Sequence, residues 1–345
     1  VIVDGKLNIS KRSVTLTSAS ASRPYNGKAL TKNTVTVGGE GFANGEGAKY
    51  DVTGTITNVG KVDNTFTYNL NEGTNKDNYE INKNTGKLEI TPVTTEVTVT
   101  ITGNIKTDTY DGTEKTAEGY KVSIDNELYT EQDFSFDGEA IAKRTNAGTT
   151  MMGLKEDNFA NTSENFKNVK FVVIDGKVAI DKRNVTLTSA TDSKQYDGKP
   201  LAKKEVTVGG DGFAGMEGAS YDVTGSQTKV GSSNNTFNYV LNSNTNADNY
   251  NITTHEGTLT VTNRDAKYNV TLVANSNTGN IYDGSEKSAT GIQTDEFEID
   301  GVKYKVSGYQ TSDPTATDAG TYDNVITGTY KVMDPEGNDV TDQFA

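Results

Sequence analysis

Few residues in this 345-residue chain could carry out bond chemistry. It has one histidine, His255, and no cysteine. A Ser-His-Asp system could therefore exist once at most, and its defining geometry is not suggested by the stretch Thr254-His255-Glu256-Gly257. Asn84-Thr85-Gly86 occupies the matching place in an earlier copy of the same sequence, so His255 reads as a surface residue of a hairpin turn. Without cysteine, thiol catalysis, disulfides and thiolate-bound metals are excluded, and the ligand count excludes a zinc site. The acidic runs Asp125-Asn126-Glu127, Asp157-Asn158 and Asp334 to Asp339 raise calcium, but none has the twelve-residue loop pattern. They read as solvated loops, leaving a weak structural calcium effect open and no other cofactor. Paired carboxylates for glycoside hydrolysis are not singled out anywhere. A Lys-Asn cross-link is not expected either, because the terminal strands offer no inward Asn. Catalytic, cofactor and metal residues are thus all expected to be none, and the chain is not expected to be an enzyme.

The motif that does recur is Tyr-Asp/Asn-Gly. It stands at Tyr25-Asn26-Gly27, Tyr110-Asp111-Gly112, Tyr196-Asp197-Gly198 and Tyr282-Asp283-Gly284, at spacings of 85, 86 and 86 residues. Asn-Gly and Asp-Gly tolerate the positive φ of a tight turn, so the motif reads as structural, with the Tyr ring packed beside its turn. Phe42 and Phe213, in G-F-A-[NG]-x-E-G, read as plugs between strands.

Those motifs sit in a two-part super-repeat. Val14 to Thr91 aligns without a gap on Val185 to Thr262, sharing VTLTSA, VTVGG, YDVTG and DNY. The other two segments share Y-D-G-[ST]-E-K and an A-G-T triplet, giving the order A-B-A-B. The expected domains are 11–92 (A), 93–181 (B), 182–263 (A) and 264–345 (B). Val1 to Ile9, VIVDGKLNI, match Val172 to Ile180, VVIDGKVAI, so 1–10 read as orphan terminal strands of a B-type repeat. The segment 264–345 correspondingly reads as truncated before its last strands. An exposed sheet edge should then take up Val1 to Ile9, beside the first A segment or by head-to-tail self-association of copies.

Period-two alternation marks strands at Val14 to Thr17, Tyr50 to Ile56, Thr65 to Leu70, Tyr79 to Ile81 and Leu88 to Ile90, and no stretch has sustained helical periodicity. The fold class is therefore all-β, expected as four immunoglobulin-like β-sandwiches. The brief junctions lack flexible linkers, which points to an extended rod on the order of 140 Å at the usual strand rise. The net charge of −14 disfavours nucleic acid, and no apolar run suits membrane insertion.

The pattern Y-D-G-K-x-L, V-T-V-x-G, Y-x-V-T-G, N-Y-x-I and G-x-L-x-[IV] resembles the MBG/YDG-type repeats of large bacterial surface proteins. The match is strongest at Tyr25 to Leu30 with Asn78 to Ile90, and at Tyr196 to Leu201 with Asn249 to Val261. The resemblance implies an extracellular, cell-wall location and the stalk of an adhesin that projects a binding tip, with no catalytic residues to carry over. The alternative is a multivalent module that itself binds host glycan, mucin or matrix protein. Identities between the two A segments fall largely on apolar, Gly and turn positions, which favours the stalk.

Overall fold

The computed structural model describes residues 1–345 and is all-β, 48% strand and 4% helix. Its only helices are five three-residue 3-10 turns, so no helix is long and apolar enough to cross a membrane. The chain divides into two compact units, Val1–Asp108 with Glu114–Ile180, and Thr109–Thr113 with Asp181–Ala345.

In the first unit, residues 12–91 form three small sheets. The strand Arg12–Ser18 lies between Val35–Gly39, antiparallel, and Tyr79–Asn84, parallel. Its alternation explains the placement: Val14, Leu16 and Ser18 are buried, while Thr15 and Thr17 are half-exposed. Ala21–Pro24, Lys87–Thr91 and Gly60–Asp63 make a second sheet, and Ala48–Val52 pairs with Phe66–Leu70. The expected strand over 50–56 ends early, at Val52; beyond Gly54 only an isolated Leu30–Ile56 bridge remains. Gly54 is where the chain passes against Asn64, leaving no room for a Cβ.

A polar latch closes this layer. Ser18 Oγ donates to Asn64 O at 2.6 Å and accepts from Gly86 N at 3.0 Å. The fully buried Asn64 donates from Nδ2 to Ala19 O and Lys32 O, both at 2.8 Å. Its Nδ2 bonds offset part of the cost of burying the amide and staple the loops at 19 and 32 together, while Oδ1 stays buried without a partner. The second unit repeats it with Ser189, Asn235 and Gly257.

Residues 97–181 form four further sheets. Val97–Gly103 is flanked by Tyr120–Ile124, antiparallel, and Val169–Ile174, parallel. Lys177–Asp181 lies between Ile105–Thr109 and Gly148–Met151. Val97, Val99 and Ile101 are fully buried, covered by Tyr129, Phe159 and Phe166.

In the second unit, residues 183–262 repeat the first arrangement, with Arg183–Ser189 between Val206–Gly210 and Tyr250–His255. Residues 264–345 do not repeat 97–181 in full. Their largest sheet is Glu296–Ile299, Val302–Thr311 and Ile326–Met333, with a bulge at Gly308, and a two-residue pair joins Lys287–Ser288 to Thr315–Ala316. His255 is the last residue of a strand, opposite Thr188, and is not in the turn itself. It is exposed on the sheet margin, because the turn begins one residue later, at Glu256. Residues 1–11 belong to no strand; Ile2 and Leu7 are 95% and 89% exposed.

Candidate functional site: tyrosine junctions

All four Tyr-Asp/Asn-Gly turns share one local geometry. The first-turn carboxylate or amide Oδ1 accepts the backbone N–H two residues on: Lys28, Thr113, Lys199 and Ser285, at 2.9–3.1 Å. The glycines follow in the left-handed region, at φ of 72°, 82°, 73° and 75°. An Asx-type turn followed by positive φ is what these residue types favour.

The tyrosine rings differ from the expectation that they pack beside their own turns. Each of the first three reaches residues of the following repeat. Tyr25 meets Phe166 edge-on at 5.7 Å, within the first unit. Tyr110, counted with the second unit, meets Tyr250 edge-on at 5.5 Å. Tyr196 is 1% exposed and belongs to one core with Leu259 and Val261 on its own side and Tyr304, Val306, Val332 and Phe344 on the other. That core runs unbroken across the repeat boundary near residue 263. Tyr282, by contrast, is 66% exposed.

Backbone anchors hold the three docked tyrosines in the same way. The N–H of Tyr25, Tyr110 and Tyr196 donates at 2.9 Å to the carbonyl of Thr91, Asp181 and Thr262, in each case the last or next-to-last residue before the following repeat. Arg183 Nη1 donates to Tyr110 O at 3.3 Å, and Arg264 Nη1 to Tyr196 O at 3.0 Å. The Arg264 guanidinium also lies over the Tyr268 ring, 3.8 Å from its centroid.

The second junction carries the most polar chemistry. Glu217 accepts Tyr110 Oη on Oε1 and Tyr250 Oη on Oε2, each at 2.5 Å, while Ala214 N donates to Tyr250 Oη at 3.0 Å. Phe213 packs edge-on against Tyr250 at 5.2 Å. In the first unit Phe42, Ala43, Glu46 and Tyr79 form the same constellation, with Tyr79 Oη donating to Glu46 Oε2. Phe42 and Phe213 are thus half-buried supports for these pockets. The glutamates were not among the sequence candidates, although both recur inside G-F-A-[NG]-x-E-G, which was the available signal.

Burial, then hydrogen bonding to Glu217, raises the pKa of Tyr110 and Tyr250, and burial raises that of Tyr196 and Tyr304. Tyr129, buried against Phe166, is pushed up to about 12. Unfolded tyrosine titrates near about 10, so these groups contribute stability that is complete below that pH and is lost as pH rises toward the folded values. Strand circular dichroism should therefore hold to about pH 10 and weaken between about 10 and 12, as the buried tyrosines ionise. A strand signal unchanged beyond about pH 12 would contradict the docked tyrosines.

Oxygens of the acidic runs accept from backbone N–H groups. Asp125 Oδ1 accepts from Thr98 N, Asn126 Oδ1 from Leu128 N and Asn158 Oδ1 from Lys155 N; Asp334 Oδ1 accepts from Glu336 N and Asn338 N. No group of three or more His, Asp or Glu side chains is placed to hold a metal ion. No family model matches this chain, and no curated protein matches it.

Proposed function

We propose that the chain is a structural stalk: four tandem immunoglobulin-like β-sandwich domains of the MBG/YDG type, at 11–92, 93–181, 182–263 and 264–345. In this reading it is the non-enzymatic spacer of a bacterial cell-surface adhesin, and any host glycan or protein ligand is met by another part of the adhesin. The observation that carries it is the tyrosine junction. Three times a Tyr-Asp/Asn-Gly turn is fastened by its backbone to the end of its own repeat and by its ring to the next. A catalytic domain has no use for such a device, whereas a load-bearing repeat array does, since each repeat is stabilised by its neighbour interface.

Small-angle scattering should give a maximum dimension on the order of 140 Å, the length of four strand-built domains end to end. A particle near half that length would overturn the stalk reading.

A further inference from the structure

Residues 183–262 begin and end in one seam. Arg183–Ser189 runs parallel to Tyr250–His255 with six residues in register, from Arg183 opposite Tyr250 to Thr188 opposite His255. Asp192–Gln195 then runs parallel to Gly257–Thr262 with four more, from Asp192 opposite Leu259 to Gln195 opposite Thr262. Where both strands change sheet, side chains carry the seam across: Ser189 Oγ accepts from Gly257 N at 2.9 Å, and Thr191 Oγ1 from Thr258 N at 3.1 Å. Tyr196 N closes it on Thr262 O at 2.9 Å. The opening residues of the repeat are thus bonded along their length to its closing residues. Val185, Leu187, Leu259 and Val261 are buried on the inner face, so water cannot take over the ladder bonds from that side.

Strand direction gives this seam its consequence. The chain enters at Arg183, at one end of the seam, and leaves after Thr262, at the other. Because the paired strands are parallel, tension on the two chain ends pulls them in opposite senses along the strand axis. The evenly spaced bonds of a parallel ladder then carry the load together. Were the first and last strands antiparallel, the ends would emerge side by side and tension would part the bonds one after another. The exit is tied as well, since Arg264 Nη1 donates to Tyr196 O at 3.0 Å beside the last bonded pair.

The arrangement recurs with other residues. In the first unit, Arg12–Ser18 and Ala21–Pro24 run parallel to Tyr79–Asn84 and Lys87–Thr91, with Gly86 N on Ser18 Oγ and Lys87 N on Ser20 Oγ at the crossover, both at 3.0 Å. Val97–Gly103 runs parallel to Val169–Ile174 across six register pairs, from Val97 opposite Val169 to Thr102 opposite Ile174.

We propose that these repeats are tensile clamps: the parallel seam between first and last strands makes each one resist force applied through its own chain ends more strongly than force that opens the seam from one end. Load bearing as a function rests on the spacer reading above, whereas the clamp rests on strand direction alone.

Single-molecule force spectroscopy on the 345-residue chain tests it. The chain has no cysteine, so a pair of introduced cysteines defines the direction of pull. Lys182→Cys with Lys267→Cys puts the handles at the entry and exit of the repeat and shears the seam. Lys182→Cys with Asp248→Cys puts both handles at the Arg183–Tyr250 end and opens it. All three positions are exposed, so both variants should melt like the parent, and any difference in force then reports direction and not stability. At one pulling speed the first pair should need at least about twofold more force than the second, because forced unfolding follows the barrier along the pulled direction. Equal or lower force for the first pair would overturn the clamp whatever length scattering gives. A short particle with the twofold difference intact would overturn the spacer reading and leave the clamp standing.

Discussion

Replacing Gly198 by valine should lower the stability of its cooperative unit by roughly 2–5 kcal/mol, the sum of a backbone and a packing cost. The backbone cost arises because Gly198 sits at φ 73°, where a β-branched residue is strained. The packing cost arises because a Cβ built there lies 2.1 Å from Tyr304 Oη and 3.1 Å from Val302 Cγ1, and Tyr304 is 2% exposed in a closed core. Tyr304 cannot swing away without uncovering Phe344 and Tyr196. The sister glycines separate the two terms. A Cβ at Gly27 meets Leu128 Cδ2 at 3.2 Å, and one at Gly284 meets nothing within 4 Å. Thermal melts should therefore rank the valine variants Gly198, Gly27, Gly284 in falling severity, with Gly198→Val melting on the order of 10 °C below the parent. Equal losses at Gly198 and Gly284 would mean that the turn alone matters and the junction contributes nothing.

Glu217→Ala should cost roughly 2–4 kcal/mol, because it strips the acceptor from two buried phenols at once. Tyr110 is 3% and Tyr250 4% exposed, and each gives its hydroxyl hydrogen to a different oxygen of the one carboxylate. Bonds to an ionised acceptor are the stronger kind, and a stranded buried hydroxyl carries its full desolvation cost. Glu46→Ala removes the partner of Tyr79 alone, so it should cost about half as much by the same reasoning. Glu217→Gln should fall between parent and alanine, since the amide keeps one acceptor oxygen. Urea melts of the three variants measure this directly. If Glu217→Ala and Glu46→Ala proved equal, Tyr110 would not be held by Glu217.

Local pattern was legible in the sequence wherever one residue's conformation or one face of a strand was at stake. The alternation of Val14, Thr15, Leu16 and Thr17 announced a half-buried strand, and the structure buries Val14 and Leu16 completely. Asn26-Gly27 and its three relatives announced a turn, and all four glycines have positive φ. The repeat spacing announced recurring units, and the Ser18-Asn64 and Ser189-Asn235 latches recur accordingly. Partners distant in sequence were not legible. Alternation says that a face is covered without saying by what, so Tyr25, Tyr110 and Tyr196 could not be assigned to the next repeat, nor Arg12–Ser18 to a parallel partner at Tyr79–Asn84. Asn64 looked like one more polar loop residue, and its burial depends on three loops converging from 19, 32 and 86. Residues 264–345 differ most from their sister segment: the stretch from Tyr268 to Ala274 makes only isolated bridges, at Tyr268 and Ala274, where Val97–Gly103 is a seven-residue strand. Sequence by itself therefore determined the strands, the turns and their period. Tertiary structure decided which tyrosine meets which glutamate, because those contacts join residues about a repeat apart, where only the folded chain brings them within reach.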